Sequence, residues 1–182
     1  MSMRSRIVLM AEVMTVIAVT VAPGALAADG PGYRGPFGFG SVPSEAEIKA
    51  RDIAVGPGGE GLPPGRGTVS AGEQVFQAKC AACHGPTGTE GPRDKLVGDK
   101  LPVKTIGSFW PYATTVFDYI RRAQPFDKPG SLTNEEVYAV SAWLLYRNRI
   151  IPADQVIDAE TLPKVRMPNR DGFVPDPRPD VD

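Results

Sequence analysis

Apolar residues return at helical spacing in three stretches of the chain. The clearest spans Asn134–Asn148, where Val137, Val140 and then Trp143 or Leu144 keep one face, with an aromatic at Tyr146. Thr133 and Glu136 open it as a capping box, in which each side chain satisfies a free backbone N–H of the first turn. A second helix is expected over Pro111–Ala123, with Val116, Tyr119, Ile120 and Ala123 in phase and Pro125 as its stop. A third is expected over Ala71–Ala82, opened by Ser70 and Glu73 as a capping box and carrying Val75 and Phe76. A short helix over Ser44–Arg51 has the same opening signal in Ser44 and Glu47. No stretch alternates convincingly as a strand and no segment repeats, so the pattern predicts an all-α core.

Composition divides the rest of the chain. Its 182 residues include 20 Gly and 19 Pro, a density that breaks helices and strands. Asp29–Thr68 concentrates them and reads either as a flexible leader or as an ordered wrap docking through Phe37, Phe39 and Leu62. Gly85–Pro102 is polar and turn-rich. Ile150–Asp182 reads as a proline-rich tail with one helical turn at Asp154–Thr161. The first residues look like an export address: Arg4 and Arg6, the apolar run Ile7–Val21, the break Pro23-Gly24 and the small-residue site Ala25-Leu26-Ala27. That run is shorter than the ~20 residues a membrane helix needs. The expected division is therefore a signal peptide over 1–27, a Gly/Pro-rich extension over 28–68, a core over 69–148 and a tail over 149–182. Cleavage would leave a periplasmic chain without stable membrane insertion and with Met167 as its only methionine.

Charge and rare residues narrow the chemistry. With 20 basic and 21 acidic residues the net charge is −1, which argues against a nucleic-acid partner. Two cysteines are too few for a disulfide scaffold. A single histidine excludes sites that need two. All three stand together as Cys80-Ala81-Ala82-Cys83-His84, the spacing of a covalent haem c attachment site. Cysteines three apart share one side of a helical turn, so both thiols can reach the vinyl groups of one porphyrin edge. His84 then falls beneath the ring, where its imidazole can ligate iron. A redox dithiol would want a βαβ context, zinc wants four ligands, and a plain disulfide leaves the adjacent His unexplained. One motif means one haem, with Cys80 and Cys83 binding the cofactor and His84 the metal.

The second axial ligand follows by elimination. No other His exists, and after cleavage only Met167 offers a thioether; water or an open site, Gln124, or a lysine remain competitors. Trp110 and Tyr112 flank a proline before the middle helix, where they would line the haem or pack in the core. The backbone carbonyls of Pro86 or Pro92 are expected to hold the His84 ring. Arg121, Arg122 and Lys128 either steer an acidic partner or are ordinary solvated charge.

From about Val69 to Asn148 the sequence resembles the class I cytochromes c. Gly72 and Phe76 match the contact positions of that family's first helix, and Val140 and Trp143 those of its last. Gly61-Leu62-Pro63-Pro64-Gly65, Thr105-Ile106-Gly107-Ser108-Phe109-Trp110-Pro111-Tyr112 and Pro168-Asn169-Arg170-Asp171-Gly172-Phe173 are similar to the cytochrome subunit or domain of Sox-type sulfite and sulfane dehydrogenases. The resemblance implies a class I cytochrome c fold, three to four helices around one covalently bound haem, with long extensions. It implies an electron-transfer subunit without a catalytic site of its own. Electrons would come from a molybdenum-cofactor dehydrogenase subunit and leave to a downstream cytochrome or oxidase. A free electron shuttle and an open-site haem sensor are the alternatives. The sequence departs from the class I pattern at Gln124-Pro125, where that family usually has Met-Pro. The departure moves the expected ligand to Met167, on a tail that would fold back over the haem.

Overall fold

The computed structural model describes residues 41–178. The expected signal peptide, Phe37 and Phe39 lie outside the described residues. The chain divides into two units, one ending at Glu47 and one running from Ile48. In the first, the Ser44 hydroxyl accepts from the Glu47 N–H at 3.3 Å and the Glu47 carboxylate accepts from the Ser44 N–H at 2.8 Å. This reciprocal cap opens α1 (Glu45–Arg51), which buries none of its residues.

The second unit is built around three helices, α2 (Val69–Lys79), α4 (Ala113–Ala123) and α5 (Asn134–Arg147), with the one-turn α3 (Ala81–His84) following α2. α5 has the expected capping box at Thr133 and Glu136. Every residue from Val137 to Leu145 is buried, more than the single apolar face the sequence predicts. A helix buried all round needs cover on all sides, and α2, α4 and two short chain segments supply it. α2 starts two residues earlier than expected. Thr68, not Ser70, is its cap, the Thr68 hydroxyl accepting from the Ala71 N–H at 3.2 Å. It also stops at Lys79, because Cys80 leaves the helical region at φ −125° before α3 resumes.

α2 and α5 cross at Gly72. A β-carbon there would sit inside the backbone carbonyl of Ala139, so only glycine lets the helices approach this closely. Beside the crossing, Phe76 stacks on Trp143 with ring centroids 4.0 Å apart. α4 presents Val116, Phe117 and Ile120 to the core, and Phe117 meets Tyr138 at 4.4 Å.

The Gly/Pro-rich stretch ahead of α2 is an ordered wrap from about Ile53 onward. Its backbone groups are satisfied by side chains of α4 and α5: Val55 N–H donates to Asp118 at 3.0 Å, and Tyr138 O–H donates to the Pro63 carbonyl at 2.8 Å. Asn134 reaches the Pro64 carbonyl and Thr114 the Pro57 carbonyl, both at 3.3 Å. The wrap ends in β1 (Arg66–Gly67), which pairs antiparallel with β2 (Ile157–Asp158) in the tail, Arg66 opposite Asp158. The helical turn expected over Asp154–Thr161 is replaced by this strand and a 3₁₀ turn at Leu162–Lys164. The Asp158 carboxylate causes the change by taking the N–H groups of Glu160 and Thr161 at 2.9 and 2.8 Å, in local competition with a helix. Among the described residues no helix is long and apolar enough to cross a membrane.

Candidate functional site

Cys80, Cys83 and His84 lie on the rim of one open cavity of about 460 Å³. The local fold aims them there. Cys83 and His84 both donate their N–H groups to the Cys80 carbonyl, at 3.1 and 3.0 Å, and Gly85 donates to Ala81 at 2.8 Å. The chain then turns away at Gly85, whose φ of 76° is a left-handed value that favours glycine. Neither cysteine is in a disulfide; Cys80 is half-buried and Cys83 exposed. Burial pushes the Cys80 thiol up to about 11. Among the described residues no group of three or more His, Cys, Asp or Glu side chains is placed to hold a bare metal ion.

His84 is oriented by its backbone neighbours. Its Nδ1 lies 2.8 Å from the Asp94 carbonyl. A carbonyl only accepts, so Nδ1 carries the proton and Nε2 keeps its lone pair free. The expected acceptors, Pro86 and Pro92, are not used: the Pro86 carbonyl takes Gln77 Nε2 at 2.7 Å. The 85–102 loop is itself anchored to α5. Asn148 accepts from Gly98 N–H at 3.0 Å and donates to the Leu96 carbonyl at 3.2 Å.

The cavity walls are largely apolar, with Phe76, Ile106, Val116, Ile120, Val140 and Leu144 facing it from α2, α4, α5 and the loop between α3 and α4. Ile106 is held by a buried turn in which Thr105 and Ser108 bond each other, Ser108 N–H donating to Thr105 Oγ1 at 3.1 Å. A flat hydrophobic group seated between these walls, with its edge at Cys80 and Cys83, matches the donor set. The residues present therefore fit a covalently attached porphyrin.

The remaining expected residues separate. Trp110 lines the cavity and meets Tyr119 edge to face at 5.7 Å. Tyr112 does not line it; its ring lies 4.2 Å from the Arg170 guanidinium. Met167 also lies apart from the cavity lining. It is 1% exposed and belongs to the apolar core with Leu162 and Val165. No tail residue lines the cavity, whereas Gln124 and Pro125 do. Arg121 and Arg122 are engaged elsewhere, Arg121 with the Ile53 carbonyl at 3.1 Å and Arg122 with Asp118. The cavity is edged instead by Lys79, Arg93, Lys95 and Lys104. Sequence reasoning missed these lysines and the apolar wall, since their side chains converge only through the fold.

Residues 67–144 match the family model described as cytochrome c oxidase, cbb3-type, subunit III. No curated protein matches the chain. Among solved structures, the chain is similar to one in the crystal structure of the sulfane dehydrogenase SoxCD from Paracoccus pantotrophus. The two are 41% identical with a TM-score of 0.71, over 78% of this chain and 73% of that one.

Proposed function

The chain belongs to the c-type cytochrome family, and from that premise we propose that it is the electron-accepting subunit of an exported molybdenum-cofactor sulfane or sulfite dehydrogenase. The observation that carries this reading is the 41% identity to a sulfane dehydrogenase chain over most of both sequences. At 78% of this chain the match is longer than the cytochrome core over 69–148, and so includes parts that a free electron shuttle does not need.

The cofactor of the family is covalent haem c, and when bound it supplies a one-electron ferric/ferrous couple. In this reading Cys80 and Cys83 hold it by adding their S–H groups across its two vinyl bonds, each forming one thioether with no atom lost. His84 offers Nε2 to the iron, because the Asp94 carbonyl fixes the proton on Nδ1. Raising the electron density of the imidazole is the usual consequence of such a bond. Phe76, Ile106, Val140 and Leu144 give the haem an apolar wall. The cationic edge attracts an acidic partner surface, and electrons leave to a downstream cytochrome or oxidase.

The test is reconstitution in a host that exports and matures c-type cytochromes. Produced with its molybdenum subunit, the chain should copurify with it, and its haem should be reduced by sulfite or a sulfane compound only in that complex. Reduction by the same substrates without the partner, or failure to associate with it, would overturn the subunit assignment.

A further inference from the structure

The structure brings the sole His and Gln124 to the same cavity and leaves Met167 in the core. Met167 is the only methionine among the described residues. To reach the cavity it would have to leave a fully buried site shared with Leu162 and Val165, at the cost of an apolar hole. Its backbone is tied down as well, since its carbonyl accepts from Arg170 N–H at 3.1 Å and the neighbouring Asn169 bonds the Phe109 carbonyl at 2.7 Å.

Gln124 is placed differently. It is the residue at which α4 ends, with its N–H still bonded to the Ile120 carbonyl at 3.1 Å and its backbone extended at φ −124°, ψ 149°. Pro125 favours that extended conformation in the residue before it. The Gln124 carboxamide makes no hydrogen bond to any described residue, although it lines a largely apolar cavity. Two of the three lysines there are less free to compete. Lys79 is paired with Glu136 at 2.6 Å, and Lys104 lies over the Phe109 ring at 4.7 Å. Lys95 adjoins Asp94, whose carbonyl holds the His84 ring.

Resting on the reading that His84 ligates a haem in this cavity, we propose that Gln124, not Met167, occupies the second axial side of the iron. A neutral carboxamide oxygen is a hard, weak-field donor, whereas a thioether is soft and favours the ferrous state. The site is therefore weakly closed: a small exogenous ligand displaces Gln124, and the resting potential lies below that of a thioether-ligated haem.

The test uses the full chain with its haem attached. The ferric protein should lack the far-red charge-transfer band of a thioether–iron bond, and the ferrous protein should bind carbon monoxide rapidly without denaturant. Gln124→Met should create the band, raise the reduction potential and slow carbon monoxide binding at least tenfold. Met167→Leu, which conserves volume and apolarity, should leave spectrum, potential and binding rate unchanged. A far-red band in the parent protein that Met167→Leu removes would overturn the proposal. So would a low-spin spectrum that persists in Gln124→Ala and is lost in Lys104→Ala, or a Gln124→Met protein with no new band. Failure of the chain to take up haem with both cysteines intact would instead defeat the cytochrome reading itself.

Discussion

In the proposed reading His84 ligates the iron, which requires a partner for its other ring nitrogen, and here that partner is main chain. Because the Asp94 carbonyl accepts from Nδ1 at 2.8 Å, Asp94→Ala keeps the contact. That variant is expected to retain the parent's haem content and visible spectrum, whereas His84→Ala is expected to lose the parent spectrum; absorbance of the two purified proteins checks this. That Cys80, Cys83 and His84 share one cavity was legible, because their spacing along the chain already sets them side by side. The carbonyl was not, since every residue carries one and only the loop's path selects it. Met167 differs: elimination by residue type nominates it as a ligand, while the structure buries it beside Leu162 and Val165. As a core side chain, Met167→Ala should cost about 2–5 kcal/mol, read as a lower denaturant midpoint with an unchanged visible spectrum.

Helices declare their ends through short polar signals and their partners through small residues. The Thr133–Glu136 box was legible because both halves are side chains at fixed spacing. The start of α2 was misplaced because Thr68 and Ser70 are both competent caps, and burial of Val69 at 7% exposure favours the earlier one. Thr133→Ala should cost about 1 kcal/mol by losing the cap, measurable by chemical denaturation. Glu136 does further work, since its carboxylate also takes the Lys79 ammonium at 2.6 Å. That hydrogen bond, aided by the Thr133 N–H, holds the carboxyl below its ordinary value. A lowered folded value means a contribution that is complete above the unfolded carboxylate range, near pH 4.3, and lost as pH falls through the folded one. The pair is largely solvated, so its share is at most about 1 kcal/mol. Glu136→Gln should flatten the loss of stability below about pH 4.5, as seen in denaturation curves taken between pH 3 and 7. At the crossing itself, Gly72→Ala sets a methyl group against the Ala139 backbone. The cost expected is about 3 kcal/mol, with a lowered thermal midpoint as the readout.

At the scale of the whole molecule, the Gly/Pro excess is resolved by contacts far apart in sequence. The wrap's carbonyls and N–H groups are met by Asp118, Thr114, Tyr138 and Asn134, and local pattern carries no trace of such partners. The same long-range pairing, β1 with β2, ties wrap to tail and closes α5 against solvent. Four cations, Lys79, Arg93, Lys95 and Lys104, edge the cavity against two carboxylates, Asp94 and Asp127. The chain as a whole is nearly neutral at −1, so the cavity edge is positive relative to its surroundings. Fields of this kind act on encounter rates and are screened over about 8–10 Å at ordinary ionic strength. An anionic small-molecule reductant should therefore reduce the haem faster than a neutral one of equal driving force. The ratio should fall toward one as salt is raised, in stopped-flow traces between about 0.01 and 0.5 M. Lys95 is exposed and, unlike Lys79 and Lys104, is engaged by neither a carboxylate nor an aromatic ring, so Lys95→Glu should lower the ratio at low salt and leave the high-salt limit unchanged. A ratio insensitive to salt would place the electron's entry away from this edge, and with it the docking face of the partner.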